Sequence, residues 1–213
     1  MYTKEFCLHV LLLAQVGLVT ALPGRAAEYK YKNYMDYPEW KVLMTLSDDG
    51  EDLEERARFG RLVDRGESAH EAMLAVLWQC DDWYYASGAM EMLHCSKGDK
   101  SKVWPELRRL LADRLPLALG GLGDGITACC RSIARMLAEN GGEDDVKALL
   151  PVLTHRNSLL RYEAATCLGQ YGNERALEIL EAAKDGDYTP EVRRGFEEAI
   201  ETIKSRLSGR PAN

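Results

Sequence analysis

The chain reads as all-α: a short α-solenoid, a superhelix of antiparallel helix pairs, running from about Glu51 to Leu207. Three observations carry this. Apolar residues recur at helical spacing between short Gly, Asn and Asp turns, and no stretch alternates as a strand does. Two segments superimpose at a fixed spacing of 31 residues: Leu160, Ala165 and Leu168 fall back onto Cys129, Ala134 and Leu137, and Gly172 onto Gly141. Each unit holds two helices, and a lone helix pair cannot bury its apolar face whereas stacked pairs can.

In chain order, Lys4 precedes an apolar run from Phe6 to Leu22, closed by the small residues Gly24, Ala26 and Ala27. That layout marks residues 1–26 as a signal peptide, with cleavage after Ala26 or after Ala21. The reading is an exported protein, periplasmic or secreted. The alternative is an uncleaved membrane anchor, because Glu5 offsets Lys4 and the run is long. No second apolar run approaches spanning length, so no membrane insertion is expected after signal removal.

Residues 27–66 form an N-terminal aromatic segment with capping helices. Tyr29, Tyr31, Tyr34, Tyr37 and Trp40 crowd its start, Pro38 opens a short helix, Asp48-Asp49-Gly50 breaks it, and Glu51 to Val63 is helical. Such a segment suits a cap over the first repeat; a flexible aromatic peptide that docks a partner is the alternative. Residues 67–207 are the repeat domain. Tyr84, Ala89 and Met92 give a first copy, 45 residues before the next. The extra length is taken up by a helix from Trp104 to Leu115, which Pro116 kinks or ends. In the unit at 143–172, Val146, Leu149, Leu150 and Leu153 form one stripe and Leu160, Ala164, Ala165 and Leu168 the second, stopping at Gly172 as a C′ residue. In the next, Ala176, Leu177, Ile179 and Leu180 precede an Asp185-Gly186-Asp187 turn. Thr189-Pro190-Glu191 then supplies an N-cap, a first-turn proline and an acid before Val192, Phe196, Ala199 and Ile200. Residues 208–213 are a disordered tail.

The stretch from Leu160-Arg161 through Ala164-Ala165 to Leu168-Gly169 and Gly172 resembles the second helix of a HEAT-like repeat of the phycobilin-lyase type. That helix carries an apolar residue and Arg, a pair of Ala, then Leu-Gly and a closing Gly. Val192-Arg193 with Ala199-Ile200 resembles a terminal, degenerate copy. The resemblance is good over 143–205, weak over 67–142 and absent before Glu51. It implies that second helices line a concave face where partners bind. Carried over residue by residue, the face holds Trp83, Tyr84 and Tyr85, then Arg131 and Arg135, then Arg161 and Glu163, then Arg193 and Arg194. Aromatics at one end with Arg along the groove would suit an acidic peptide.

The 213 residues carry a net charge of −7, so no basic surface advertises nucleic acid. No catalytic constellation stands out, and no cofactor is expected. Gly120-Gly121-Leu122-Gly123-Asp124-Gly125 follows a helix, not the strand that a dinucleotide fingerprint needs, and reads as a loop with Asp124 as N-cap. His70-Glu71 resembles one of the His-Glu pairs that hold iron in the HEAT-repeat enzyme deoxyhypusine hydroxylase. Later repeats hold no His at equivalent positions, so the pair reads as solvated surface. Cys80, Asp81, His94 and Cys95 look like metal ligands, but a helix between them sets Cys80 and Cys95 roughly 20 Å apart, so no metal is assigned. Cys80 at one turn faces Cys129 and Cys130 one repeat on, at the ~8–10 Å spacing of packed helices. One disulfide, Cys80 with Cys129 or Cys130, is therefore expected. Cys167 reads as a buried small hydrophobe.

The leading function is an exported, non-catalytic repeat scaffold binding a protein or peptide on its concave face. Two alternatives stand beside it. One is a tetrapyrrole- or cofactor-handling protein related to the phycobilin lyases, with Trp78, Trp83 and Tyr85 lining a cleft. The other is a structural module that self-associates through an apolar open end.

Overall fold

A computed structural model describes residues 31–39, 60–61, 63–79, 83–118, 125–186 and 188–209. Pro38 and Glu39 are helical, while the signal-like run, the helix start at Glu51, Cys80, Asp124 and residues 210–213 lie outside the described residues. So do the side chains of Trp83 and Tyr84, although their backbone is helical.

The repeat is all-helical, with no strand among the described residues. Its elements are α1 (Glu67–Gln79), α2 (Trp83–Cys95), α3 (Val103–Arg114), α4 (Gly125–Asn140), α5 (Glu143–Ala148), α6 (Leu150–Leu153), α7 (Ser158–Tyr171), α8 (Glu174–Ala183) and α9 (Pro190–Leu207). They pair in order as α1 with α2, α3 with α4, α5–α6 with α7, and α8 with α9. The second members form one layer, α2 on α4, α4 on α7 and α7 on α9; the first members form the other, α1 on α3, α3 on α5 and α5 on α8. One apolar core runs between the layers from Ala72 to Ile203. This is a solenoid in which each unit is held by its neighbours.

Local chemistry sets the breaks. Pro116 converts the end of α3 into a 3-10 turn, Leu115–Leu117. Asn157 caps α7 by accepting from the Leu159 amide at 3.0 Å. Asn173 caps α8 by accepting from the amides of Arg175 and Ala176. Thr189 takes the N-cap position of α9 with extended backbone, but its side chain accepts from no first-turn amide.

Three expectations are corrected. The stripe through Val146, Leu149, Leu150 and Leu153 is not continuous, because Pro151 has no amide to donate and the helix breaks between α5 and α6. Leu150 is consequently 42% exposed, and Val152 joins the core in its place. Gly172 does not take the left-handed conformation of a C′ glycine; its backbone is extended. A glycine is needed there for space: a Cβ would sit 2.3 Å from the Leu168 carbonyl oxygen and 2.4 Å from the Ala176 Cβ. His70 is not solvated. It is buried, with Nε2 2.7 Å from the Ser96 hydroxyl, which itself donates to the Leu93 carbonyl at 2.9 Å. Burial holds its imidazole below the usual value.

Polar contacts tie unit to unit. Arg108 of α3 and Asn140 of α4 both donate to the buried Asp145 of α5. Arg206 near the end of α9 donates to the carbonyls of Gly169 and Gly172, the open end of α7. A Cβ on Gly169 would lie 2.8 Å from the Ala199 Cα, so α7 and α9 meet backbone to backbone. At the other end, residues 31–39 lie against α1. Gln79 accepts from the Tyr34 amide at 3.1 Å and donates to the Lys32 carbonyl at 2.7 Å. Tyr37 donates to Glu71 at 2.7 Å, and Arg65 holds the buried Glu39 at 2.6 Å. Burial and the bond to Glu71 raise the Tyr37 phenol to about 12.

Candidate partner-binding face

The layer of second helices α2, α4, α7 and α9 turns one side to the core and the other outward. Between α2 and α4 the outward side sinks into a groove of about 190 Å³, lined by Ser87, Met90, Glu91, His94, Ser132, Arg135 and Met136. Its floor is thioether and its rim is polar. Glu139 closes one edge, accepting from Arg135 Nε at 3.1 Å and lying 3.1 Å from His94 Nδ1 on α2. The carboxylate stabilises the Arg135 cation. One helix on, Arg131 meets Glu163 of α7 at 2.5 Å. A polar contact thus joins α2 to α4 and an ion pair joins α4 to α7 across the face.

The residues expected on this face divide sharply. Arg131, Arg135 and Glu163 lie on it, each already paired. Arg194 lies on it too, exposed, with Glu198 at 3.9 Å. Arg161 does not: it is 9% exposed, and its guanidinium donates to the carbonyls of His155 at 2.6 Å and Arg156 at 3.0 Å while stacking over Tyr188. It is the pin of its own loop. Tyr188 in turn stacks on Phe196, with ring centroids 5.0 Å apart, and donates to the Leu153 carbonyl. Arg193 points elsewhere, into a polar groove at the end of the stack with Glu181, Lys184, Glu197 and Lys204. Glu181 there is held by Lys184 at 2.7 Å and Lys204 at 2.6 Å, which bring its carboxyl down to about 2. The groove at the C-terminal end is thus lined by charged side chains around Ile200. Tyr85 packs against the core, and Trp78 lies under Arg109, whose guanidinium carbon is 4.6 Å from the ring centroid.

Of the expected disulfide, Cys129 and Cys130 are free cysteines in this structure, and their expected partner Cys80 lies outside the described residues. Cys130 is fully buried in the apolar core and Cys129 packs against that core, so both fill space between helices. Desolvation raises the Cys129 thiol to about 11, and that of Cys167 likewise to about 11. Cys95 is exposed and donates to Glu91 at 3.6 Å.

Sequence reasoning missed Ser87, Met90, Ser132, Met136 and Tyr162 as face residues. The available signal was spacing: Ser132 and Met136 stand four apart, each next to an arginine placed on the face.

Against known proteins, residues 129–201 match the family model for HEAT repeats. Neither a curated protein nor a solved structure matches the chain.

Proposed function

We propose that this chain, which is a HEAT-like repeat protein, works as an exported, non-catalytic scaffold that binds a protein or peptide across α2, α4, α7 and α9. HEAT repeats commonly mediate protein interactions and are generally non-catalytic. The observation that carries the reading is the groove between α2 and α4, set in a polar helix layer that nothing in the chain's described residues covers. Paired charges, thioethers and hydroxyls make a rim and an anchor rather than a reaction centre. No helix among the described residues is long and apolar enough to cross a membrane.

Site-specific photocrosslinking tests the face. A benzophenone side chain replacing Ser132 is expected to capture a partner in native extract, whereas one replacing the exposed Glu178 on α8 is not. Equal capture at the two positions would sink the reading. Export rests on the run from Phe6 to Leu22 and is tested separately by intact mass. A mature chain beginning at Ala27 or Leu22 supports it; a soluble cytosolic chain retaining Met1 overturns it.

A further inference from the structure

Resting on that reading of the face, we propose that the partner presents a basic segment, with a lysine or arginine seated over Tyr162 in the seam between α7 and α9. Among the described residues the face carries more acid than base. Of its outward arginines, Arg131 is answered by Glu163 and Arg135 by Glu139, while Arg194 makes only a loose 3.9 Å contact with Glu198. Glu91, Glu191 and Glu201 are exposed, and no ion pair among the described residues claims them.

Tyr162 supplies the contact. It is 38% exposed, and its ring rests on the backbone of Gly195: a Cβ there would come within 2.8 Å of the ring. Glu191 and Glu198 stand one turn to either side of Arg194-Gly195 on the same helix. A ring face flanked by carboxylates attracts a cation through its quadrupole and through simple charge. An acidic side chain would meet repulsion from both turns. Arg194 is a weak competitor, since its 3.9 Å contact with Glu198 joins two side chains that are each about two-thirds exposed. About two helix spacings farther along, the groove floored by Met90 and Met136 offers an apolar seat for a more distant residue of the segment.

The test is selection of a random displayed-peptide library on the full mature protein, with each selected peptide titrated against variants checked for helicity. Enrichment in Lys and Arg of about twofold or more over the starting library is expected. Binding should weaken about tenfold in the exposed Glu191→Gln/Glu198→Gln/Glu201→Gln triple variant, and its salt dependence should flatten. Tyr162→Ala should give a similar loss. Selected peptides that are acidic or neutral, yet blocked by Ser132→Trp, would overturn the basic partner and leave the face standing. Peptides indifferent to Ser132→Trp and Tyr162→Ala alike, or no enrichment at all, would overturn the face and the basic partner together.

Discussion

α7 and α9 are built on one plan and live different lives. Each opens after an extended cap residue, carries an arginine four residues on, and buries a stripe of Ala, Leu, Ile or Phe against its partner first helix. α7 is flanked on both sides, by α4 and α9; α9 ends the stack. The same register therefore yields a buried Arg161 that fastens the loop before it and an exposed Arg193 that faces solvent at the terminus. Place in the stack, more than place in the repeat, decides what a side chain does.

The largest effect expected from breaking this comparison is at Phe196, fully buried and stacked on Tyr188. Phe196→Ala should cost about 3–5 kcal/mol of stability, read by urea denaturation. It should loosen Arg161 as well, because Tyr188 is the link between them. Next comes the arginine pair itself. Arg161→Ala strips two charge-assisted bonds from loop carbonyls and should cost about 2–3 kcal/mol, whereas Arg193→Ala should stay within about 0.5 kcal/mol. Equal costs would remove the distinction drawn here. A double-mutant cycle between Arg131 and Glu163, both about one-third exposed, should give a coupling near 0.5–1 kcal/mol, smaller in high salt.

The pH response sharpens the contrast between buried and open polar groups. Burial lowers the imidazoles of His70 and His155. The unfolded chain then binds protons that the folded chain refuses, so stability rises with pH through this window and is lost as pH falls below about 6.5. Thermal unfolding should come earlier at about pH 5 than at neutral pH, and His70→Gln should flatten part of that slope. The smallest effect is chemical: among the described cysteines, native-state maleimide labelling should reach the exposed Cys95 first, since Cys130 and Cys167 are buried and Cys129 packs against the core.

Much of the fold was legible because helical stripes report burial directly. Leu160, Ala164, Ala165 and Leu168 repeat at the spacing of a core face and all lie fully buried. Leu150 was misread because periodicity does not register the backbone break at Pro151. The site was less legible. A charged residue's type gives no sign of whether its partner is solvent, a neighbouring helix or its own loop: Arg161 and His70 were placed at the surface, and both are buried against polar groups. The groove depends on where α2 and α4 sit relative to each other, and spacing along one chain does not encode that distance.

Asn173 fixes more than a helix start. While its carbonyl oxygen holds the first amides of α8, its amide nitrogen donates to the Gly141 carbonyl at 3.2 Å, at the matching corner of the preceding unit. One side chain thus measures the distance between successive corners. An inserted residue at 141–142 or 172–173 would break one end of that gauge and shift the following helix pair along its neighbour. Loop length at these corners is therefore as constrained as the apolar stripes, and insertional scanning should find them among the least permissive turns in the molecule.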